Sequence, residues 1–373
     1  MLEAASSVRF VQPADARVRT AAATGHLGVR ARGVARGTVV AMGALITKEL
    51  VMITRLAFVL CCAGCASAAV SAPDAAPSHI PTTITGTYDL VGTLDLATLP
   101  APADAILAEL ANATDSPDDP ARYLVDRMVA ALPEGTFKSV ATGLAPYVAP
   151  YIELELDRIA PHFAPGVRAI ASGLGTVAHH MITLERLVIA PGGITTRALI
   201  GLQLANVPCQ LAAGGAPDAL AITRAELSGA GTLVFSSHAM QLPYGEMLRL
   251  GLDRAVIPSV DLSASDLAGA LRDLVDCHQL GLTFYSHANL GSASLYETAC
   301  AVAMTSLASD VYAKISAIDA APFELDVSGT ATGVDVDSDG TMDQIRTGAW
   351  VGTAGYAGTK GPIGADTFTG TKE

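Results

Sequence analysis

Between Thr83 and Leu96 the chain alternates with a period of two. Ile84, Tyr88, Leu90, Leu94 and Leu96 fall on one side; Thr83, Thr85, Thr87, Asp89, Thr93 and Asp95 fall on the other. Successive side chains of a strand point to opposite faces, so this pattern commits the segment to a strand with one buried face. The pattern returns near the other end, where Phe323, Leu325 and Val327 alternate with Glu324, Asp326 and Ser328. Two one-faced strands this far apart need a common core, and their pairing would close a curved sheet. The expectation is an α+β body: a mainly antiparallel curved sheet or partial barrel, with helices packed on one face or end.

The segments between them alternate in type. Met181–Ala190 and Ile194–Leu204 flank Pro191-Gly192-Gly193 and read as a hairpin. In its second arm Ile194, Thr196, Ala198, Ile200, Leu202 and Leu204 form the apolar side, against Thr195, Arg197, Gly201 and Gln203. Gly231–Leu242 and Glu246–Ile257 read as two more strands around Pro243-Tyr244-Gly245. Helical spacing appears in Leu124, Met128, Ala131 and Leu132 behind Asp119-Pro120. Further helical turns run from about Phe137 to Ala160, interrupted by Pro146 and Pro150. The clearest helix carries Leu295, Ala299, Val302, Leu307, Val311, Ile315 and Ile318. No repeat of 20–50 residues is visible, which argues against solenoids and propellers.

Half of the residues are hydrophobic but only 5% are aromatic, so the core is built from Leu, Val, Ile and Ala. A body of residues 82–373 is large enough to fold alone as one unit. Residues 66–81 ahead of it are mostly Ala, Ser and Pro and read as a tether.

The N-terminal region carries an address. Arg55 precedes the apolar run Leu56-Ala57-Phe58-Val59-Leu60, which ends in Cys61-Cys62-Ala63-Gly64-Cys65. A short positive region, an apolar core and small residues make 52–64 a secretory signal. The ending resembles the lipobox of bacterial lipoproteins. That resemblance implies transfer of a diacylglycerol to the Cys65 thiol, cleavage just before Cys65 and acylation of the new amino terminus, leaving the protein held in a membrane by lipid. Residues 65–81 would then be anchor and tether. Ala66 does not oppose outward sorting, which favours the outer membrane. Ala66-Ser67-Ala68 also fits an ordinary signal-peptidase site, which would leave a soluble product. Residues 1–51 hold Arg17, Arg19, Arg30, Arg32 and Arg36 with no acid between Ala16 and Thr47. A signal belongs at the N-terminus, so translation is expected to start at Met52; a basic leader is the alternative. A membrane-spanning helix needs ~20 apolar residues, and Lys48, Glu49 and Arg55 interrupt any such window.

Residues 1–64 hold eight of the 23 basic and three of the 36 acidic residues, so the chain from Cys65 carries a net charge of −18. Phosphate contact rests on Lys and Arg, which makes a nucleic-acid partner unexpected. Four cysteines remain: Cys65, Cys209, Cys277 and Cys300. Export to an oxidising compartment predicts a disulfide between Cys277 and Cys300, set around a loop joining two helices; buried thiols are the alternative. No CxxC spacing remains to signal a zinc or redox site.

The sharpest chemical motif is Asp335-Val336-Asp337-Ser338-Asp339-Gly340-Thr341-Met342-Asp343. It resembles the D-x-D-x-D-G-x-x-D calcium loop of extracellular repeat families and the first half of an EF-hand. Calcium takes six to eight oxygens, and alternate carboxylates on a tight loop can converge on one point. The resemblance assigns side-chain oxygens to Asp335, Asp337, Asp339 and Asp343 and a backbone carbonyl to Thr341. The twelfth position is Arg346 where an EF-hand has Glu. A plain hairpin turning at Asp339-Gly340 is the competing reading.

Signals for catalysis are sparse. His179, His180, His238, His278 and His287 show no ligand spacing. No G-x-S-x-G elbow is present, and Gly173-Leu174-Gly175 lacks the third glycine of a dinucleotide loop. Glu153 and Glu155 read as a solvated helix edge. The balance favours a non-enzymatic binding or structural envelope lipoprotein, steadied by calcium. The alternatives are an envelope hydrolase acting on glycan or ester substrates and a carrier holding an apolar ligand inside the sheet.

Overall fold

The computed structural model describes residues 79–373, apart from 100, 116–119, 212–219, 262 and 365. The chain divides into Met1–Pro73 and Asp74–Glu373, and every described residue lies in the second unit. Cys65, the signal 52–64 and the tether as far as residue 78 lie outside the described residues.

Ten strands form one sheet. They are β1 (Gly86–Asp95), β2 (His180–Ile189), β3 (Ile194–Leu204), β4 (Val207–Gln210), β5 (Leu220–Leu227), β6 (Thr232–Leu242), β7 (Phe323–Val334), β8 (Gln344–Tyr356), β9 (Thr359–Pro362) and β10 (Asp366–Lys372). The order runs β10-β1-β2-β3-β5-β6-β7-β8, and β10 pairs with β8 as well as with β1. Eight antiparallel strands therefore close into a barrel, with β4 added to β3 and β9 to β8. The expected partial barrel is corrected to a closed one. The last strand is short enough to bridge both edges, pairing Leu90 with Gly370 and Trp350 with Asp366.

Closure also fixes where the helices go. Neighbouring strands run antiparallel, so β1 and β6 point the same way. The connections that follow them, 96–179 and 243–322, leave the barrel at the same end. The first holds α1 (Ala101–Asp115), α2 (Pro120–Ala130), α3 (Thr136–Ile159) and α4 (Phe163–His179). The second holds α5 (Tyr244–Gly251), a π-helical turn Leu252–Val256, α6 (Ile257–Val260), α7 (Leu267–Asp273), α8 (Cys277–Ala288) and α9 (Ala293–Ile318). The two groups interlock: α9 packs on α1 and α2, α8 on α3, and the π turn on α4. Among the described residues no helix is long and apolar enough to cross a membrane.

Three local expectations change. Glu246–Ile257 is helical, not a strand. Its buried Met247, Leu248, Gly251, Leu252 and Val256 follow helical spacing, which the alternation of Leu248, Leu250 and Leu252 hides. The helix α3 runs unbroken through Pro146 and Pro150, which sit on its solvent face. Cys277 and Cys300 do not flank a loop: they form a disulfide joining the first turn of α8 to the body of α9, with Cα atoms 5.5 Å apart.

An eight-stranded barrel is just wide enough for side chains to fill it. Tyr88, Leu90, Leu187, Leu233, Phe235 and Phe368 are fully buried in it. Trp350 stacks on Phe368 with ring centres 4.3 Å apart. Gly329 makes room for that indole, since a Cβ there would sit 2.3 Å from a ring carbon. The space left between Thr183, Glu185, Arg197, Trp350 and Asp366 is ≈ 10 Å³. That is water-sized at most, so the apolar-carrier alternative finds no chamber there.

Candidate metal centre

At the end of the barrel opposite the helices, β7 and β8 are joined by 335–343. The left-handed backbone of Ser338 (φ 66°) and Gly340 (φ 85°) folds this segment back on itself. Asp335 is 2% exposed. Its Oδ1 accepts the Ser338 N–H (2.7 Å) and its Oδ2 the Gly340 N–H (2.8 Å). Asp343 Oδ2 accepts the Val336 N–H at 2.8 Å. These bonds draw three carboxylates together: one oxygen from each of Asp335, Asp337 and Asp343 lies within 4.8 Å of the others. Asp335 is buried, Asp343 half-buried and Asp337 exposed. Carboxylate oxygens carry spare lone pairs beyond the N–H bonds they accept, so ligation stays open to them.

Asp339 stands apart from this trio. Its Oδ1 accepts the Thr341 N–H at 2.6 Å, and that bond holds its carboxyl below the usual range. Thr341 thus enters through its N–H. Of the five expected ligands, three are gathered. Three like charges so close repel unless a cation or protons lie among them, and their donor set of carboxylate oxygens suits a hard cation.

The loop also grips the start of the body. His79 and Asp335 exchange both main-chain hydrogen bonds at 3.1 Å. Thr82 and Thr83 N–H groups both donate to Gly340 C=O (2.8 and 2.9 Å), and Met342 N–H donates to Thr83 C=O (2.8 Å). His79 Nδ1 lies 3.0 Å from Ser338 Oγ. Met342, wholly buried, fills the barrel mouth and accepts the Tyr88 hydroxyl on its carbonyl. Whatever holds the carboxylates together therefore holds residues 79–83 to the barrel.

A second polar constellation went unread in the sequence. Thr195 and Arg197 of β3 point into the barrel, while Ile194 and Ile200 face outward. The apolar side expected for this strand is therefore inverted over its first half. A bulge at Ile200, opposite the Leu184–Glu185 step of β2, restores Leu202 and Leu204 to the core. Arg197 Nε donates to Glu185 Oε2 (2.5 Å) and Nη2 to Oε1 (2.9 Å). Its guanidinium carbon sits 4.0 Å over the Trp350 ring. Arg197 Nη1 donates to His238 Nε2 (3.2 Å), and His238 Nδ1–H donates to Ser236 C=O (2.9 Å). Only the neutral imidazole fits both bonds. Burial holds His238 below its ordinary pKa. Burial likewise pushes Asp366 up to about 6. The Asp95 N–H donates to Asp366 Oδ1 at 2.6 Å. Every polar group here is matched, which makes the cluster a core network closed to substrate.

The other histidines hold structure. His179 Nδ1 bonds Leu96 C=O (2.7 Å), His278 pairs with Glu297 (3.0 Å), and His287 stacks on Tyr151. His162 lines an open cleft of ≈ 470 Å³ with Asp261 and Asp273. Hydrogen bonds from Ser263 hold Asp261 low; burial and then a hydrogen bond to Asp261 push Asp273 up. Two carboxyls in direct contact lack the ~5–9.5 Å separation of a glycosidase pair. This cleft therefore does not supply the glycosidase dyad. No family model matches the chain, and no curated protein or solved structure is significantly similar to it.

Proposed function

We infer that the chain is a bacterial envelope lipoprotein with a non-enzymatic structural or binding role, anchored through Cys65 in the outer membrane and steadied by calcium. One observation carries the reading: the loop that converges Asp335, Asp337 and Asp343 is the loop that grips residues 79–83. Residues 79–83 join the barrel at that point. Calcium bound by the three carboxylates, with main-chain oxygens and water completing its shell, would brace the junction between tether and barrel. Extracellular modules bind calcium at ~10⁻⁴–10⁻³ M, and an exposed site of this charge belongs in that range.

Calcium titration with thermal melting tests it. The wild type is expected to gain ~2.7 kcal/mol at a hundredfold excess over Kd. Asp337→Ala and Asp343→Ala should lose that gain. Asp335→Ala should melt early even without calcium, because the buried carboxylate that accepts the Ser338 and Gly340 N–H groups and folds the loop is lost. A wild type indifferent to calcium leaves the plain hairpin. Mass spectrometry of the mature N-terminus tests the anchor, with Cys65 carrying a diacylglycerol on its sulfur and an acyl group on its amino nitrogen as the expected first residue.

A further inference from the structure

Two neighbouring strands of the barrel, β3 and β5, are inside out. Thr195 and Arg197 of β3 face the core, as do Ala221, Thr223 and Ala225 of β5, and all five are buried. Large apolar residues take the outward positions: Ile194 is 60% and Ile222 71% exposed, and Ile200 and Leu220 are exposed beside them. Register joins these into one patch. Thr196 of β3 lies between Val188 of β2 and Ile222 of β5, and Ala198 lies between Arg186 and Leu220. Val188 is exposed as well. Across the barrel the outward positions differ in kind: Ser328, Thr330 and Thr332 on β7, and Thr367, Thr369 and Thr371 on β10. Single exposed apolar residues are ordinary, but a contiguous patch of them marks a contact.

Small or polar residues inward and large apolar ones outward is the alternation of a barrel wall whose outer solvent is hydrocarbon. Both arginines at the patch are already matched by carboxylates, Arg186 by Asp89 (3.3 Å) and Arg224 by Glu226 (3.2 Å). A face without free positive charge, on a chain that carries −18 from Cys65 onward, suits a zwitterionic surface and repels an anionic one. We propose that this wall rests on a zwitterionic bilayer, with Val188, Ile194, Leu220 and Ile222 set into its headgroup boundary. The proposal rests on the lipid at Cys65, which puts a bilayer within reach. Residues 66–78 separate Cys65 from His79, and a chain spans at most ~3.5 Å per residue, or ~50 Å here. The first described residues lie on this side of the barrel: a Cβ on Gly231, in the β5–β6 turn, would meet Ile80 at 3.5 Å. A second contact on a tethered body needs little affinity of its own, because the tether keeps the bilayer at high effective concentration. The wall lies on the membrane and does not span it, since a spanning barrel is apolar outward on every strand.

Tryptophan emission from the full chain on vesicles tests this. The vesicles are phosphatidylcholine, with or without bromine on the acyl chains, and contain a nickel-chelating lipid that holds a histidine tag at Met1. Because the tag supplies the attachment, the affinity of the wall is read apart from the lipid on Cys65, and failure of one reading is distinguishable from failure of the other. The native Trp350 is buried in the barrel and gives the baseline. Ile222→Trp should lose emission on the brominated vesicles, while Thr369→Trp on the far wall should not. Adding Val188→Asp and Ile194→Asp to the Ile222→Trp chain should abolish the loss. All of these positions are exposed, so the variants should keep the wild-type circular dichroism and melting. No loss at position 222 overturns the proposal, as does equal loss at 222 and 369, or a loss that survives both aspartates. Sedimentation velocity without vesicles supplies the last arm: a dimer that the two aspartates dissolve would assign the wall to a second copy of the chain and overturn the bilayer, whereas a monomer at every concentration supports it.

Discussion

Asp366 and Arg197 show how much one side chain costs or contributes inside a closed barrel. Asp366 is 2% exposed and faces Glu185 across the remaining space. Its folded pKa of about 6 lies above the ~3.9 of an unfolded chain. A raised pKa contributes stability that is complete below pH ~4 and is lost as pH rises through about 6. Asn cannot ionise and keeps the acceptor for the Asp95 N–H. Asp366→Asn is therefore expected to match wild type near pH 4 and to exceed it by ~1–3 kcal/mol at pH 8, measured by urea unfolding at both values. Equal stability at both would refute the assignment. Arg197→Ala works the other way. It strands Glu185 and takes the donor from His238, so urea unfolding at neutral pH should show a loss of ~3–5 kcal/mol. A change below ~1 kcal/mol would mean that Glu185 is not paired as described.

Elements tell which parts of this fold could be read in advance. The alternation of β1 and of β7 was plain, because each strand shows one face to the core and one to water. Pairing between the two ends of the body was foreseeable, but β1 pairs with β10, not with β7. Full closure was not foreseeable, since it depends on β10 reaching both β1 and β8, and seven residues carry no mark of a double partner. Helix α5 and the π turn beyond it were masked by leucines that satisfy both periods. The barrel network was invisible because Glu185, Arg197, His238 and Asp366 come from four strands. The aspartate loop was legible because its residues are local, yet which carboxylates converge was decided by main-chain bonds. In α9, Tyr296 is wholly buried between Phe137 and Phe284, and its hydroxyl has no hydrogen-bond partner among the described residues. Tyr296→Phe removes an unpaired polar atom at constant ring packing. It should raise the urea midpoint by the equivalent of ~1–2 kcal/mol; a lower midpoint would show that the hydroxyl has a partner.

For the whole molecule, the two barrel ends are different in kind. One is covered by two interlocked helical insertions. The other is stoppered by Met342 and held to residues 79–83 by the aspartate loop. The described residues thus begin where the carboxylates gather. The most direct measurement of the proposed brace is hydrogen exchange of residues 79–83 and 335–343, with and without calcium. The account predicts that calcium slows exchange in both segments of the wild type, and in neither segment of a chain carrying Asp337→Ala and Asp343→Ala. Exchange that ignores calcium in the wild type, or slows equally in the variant, would contradict it.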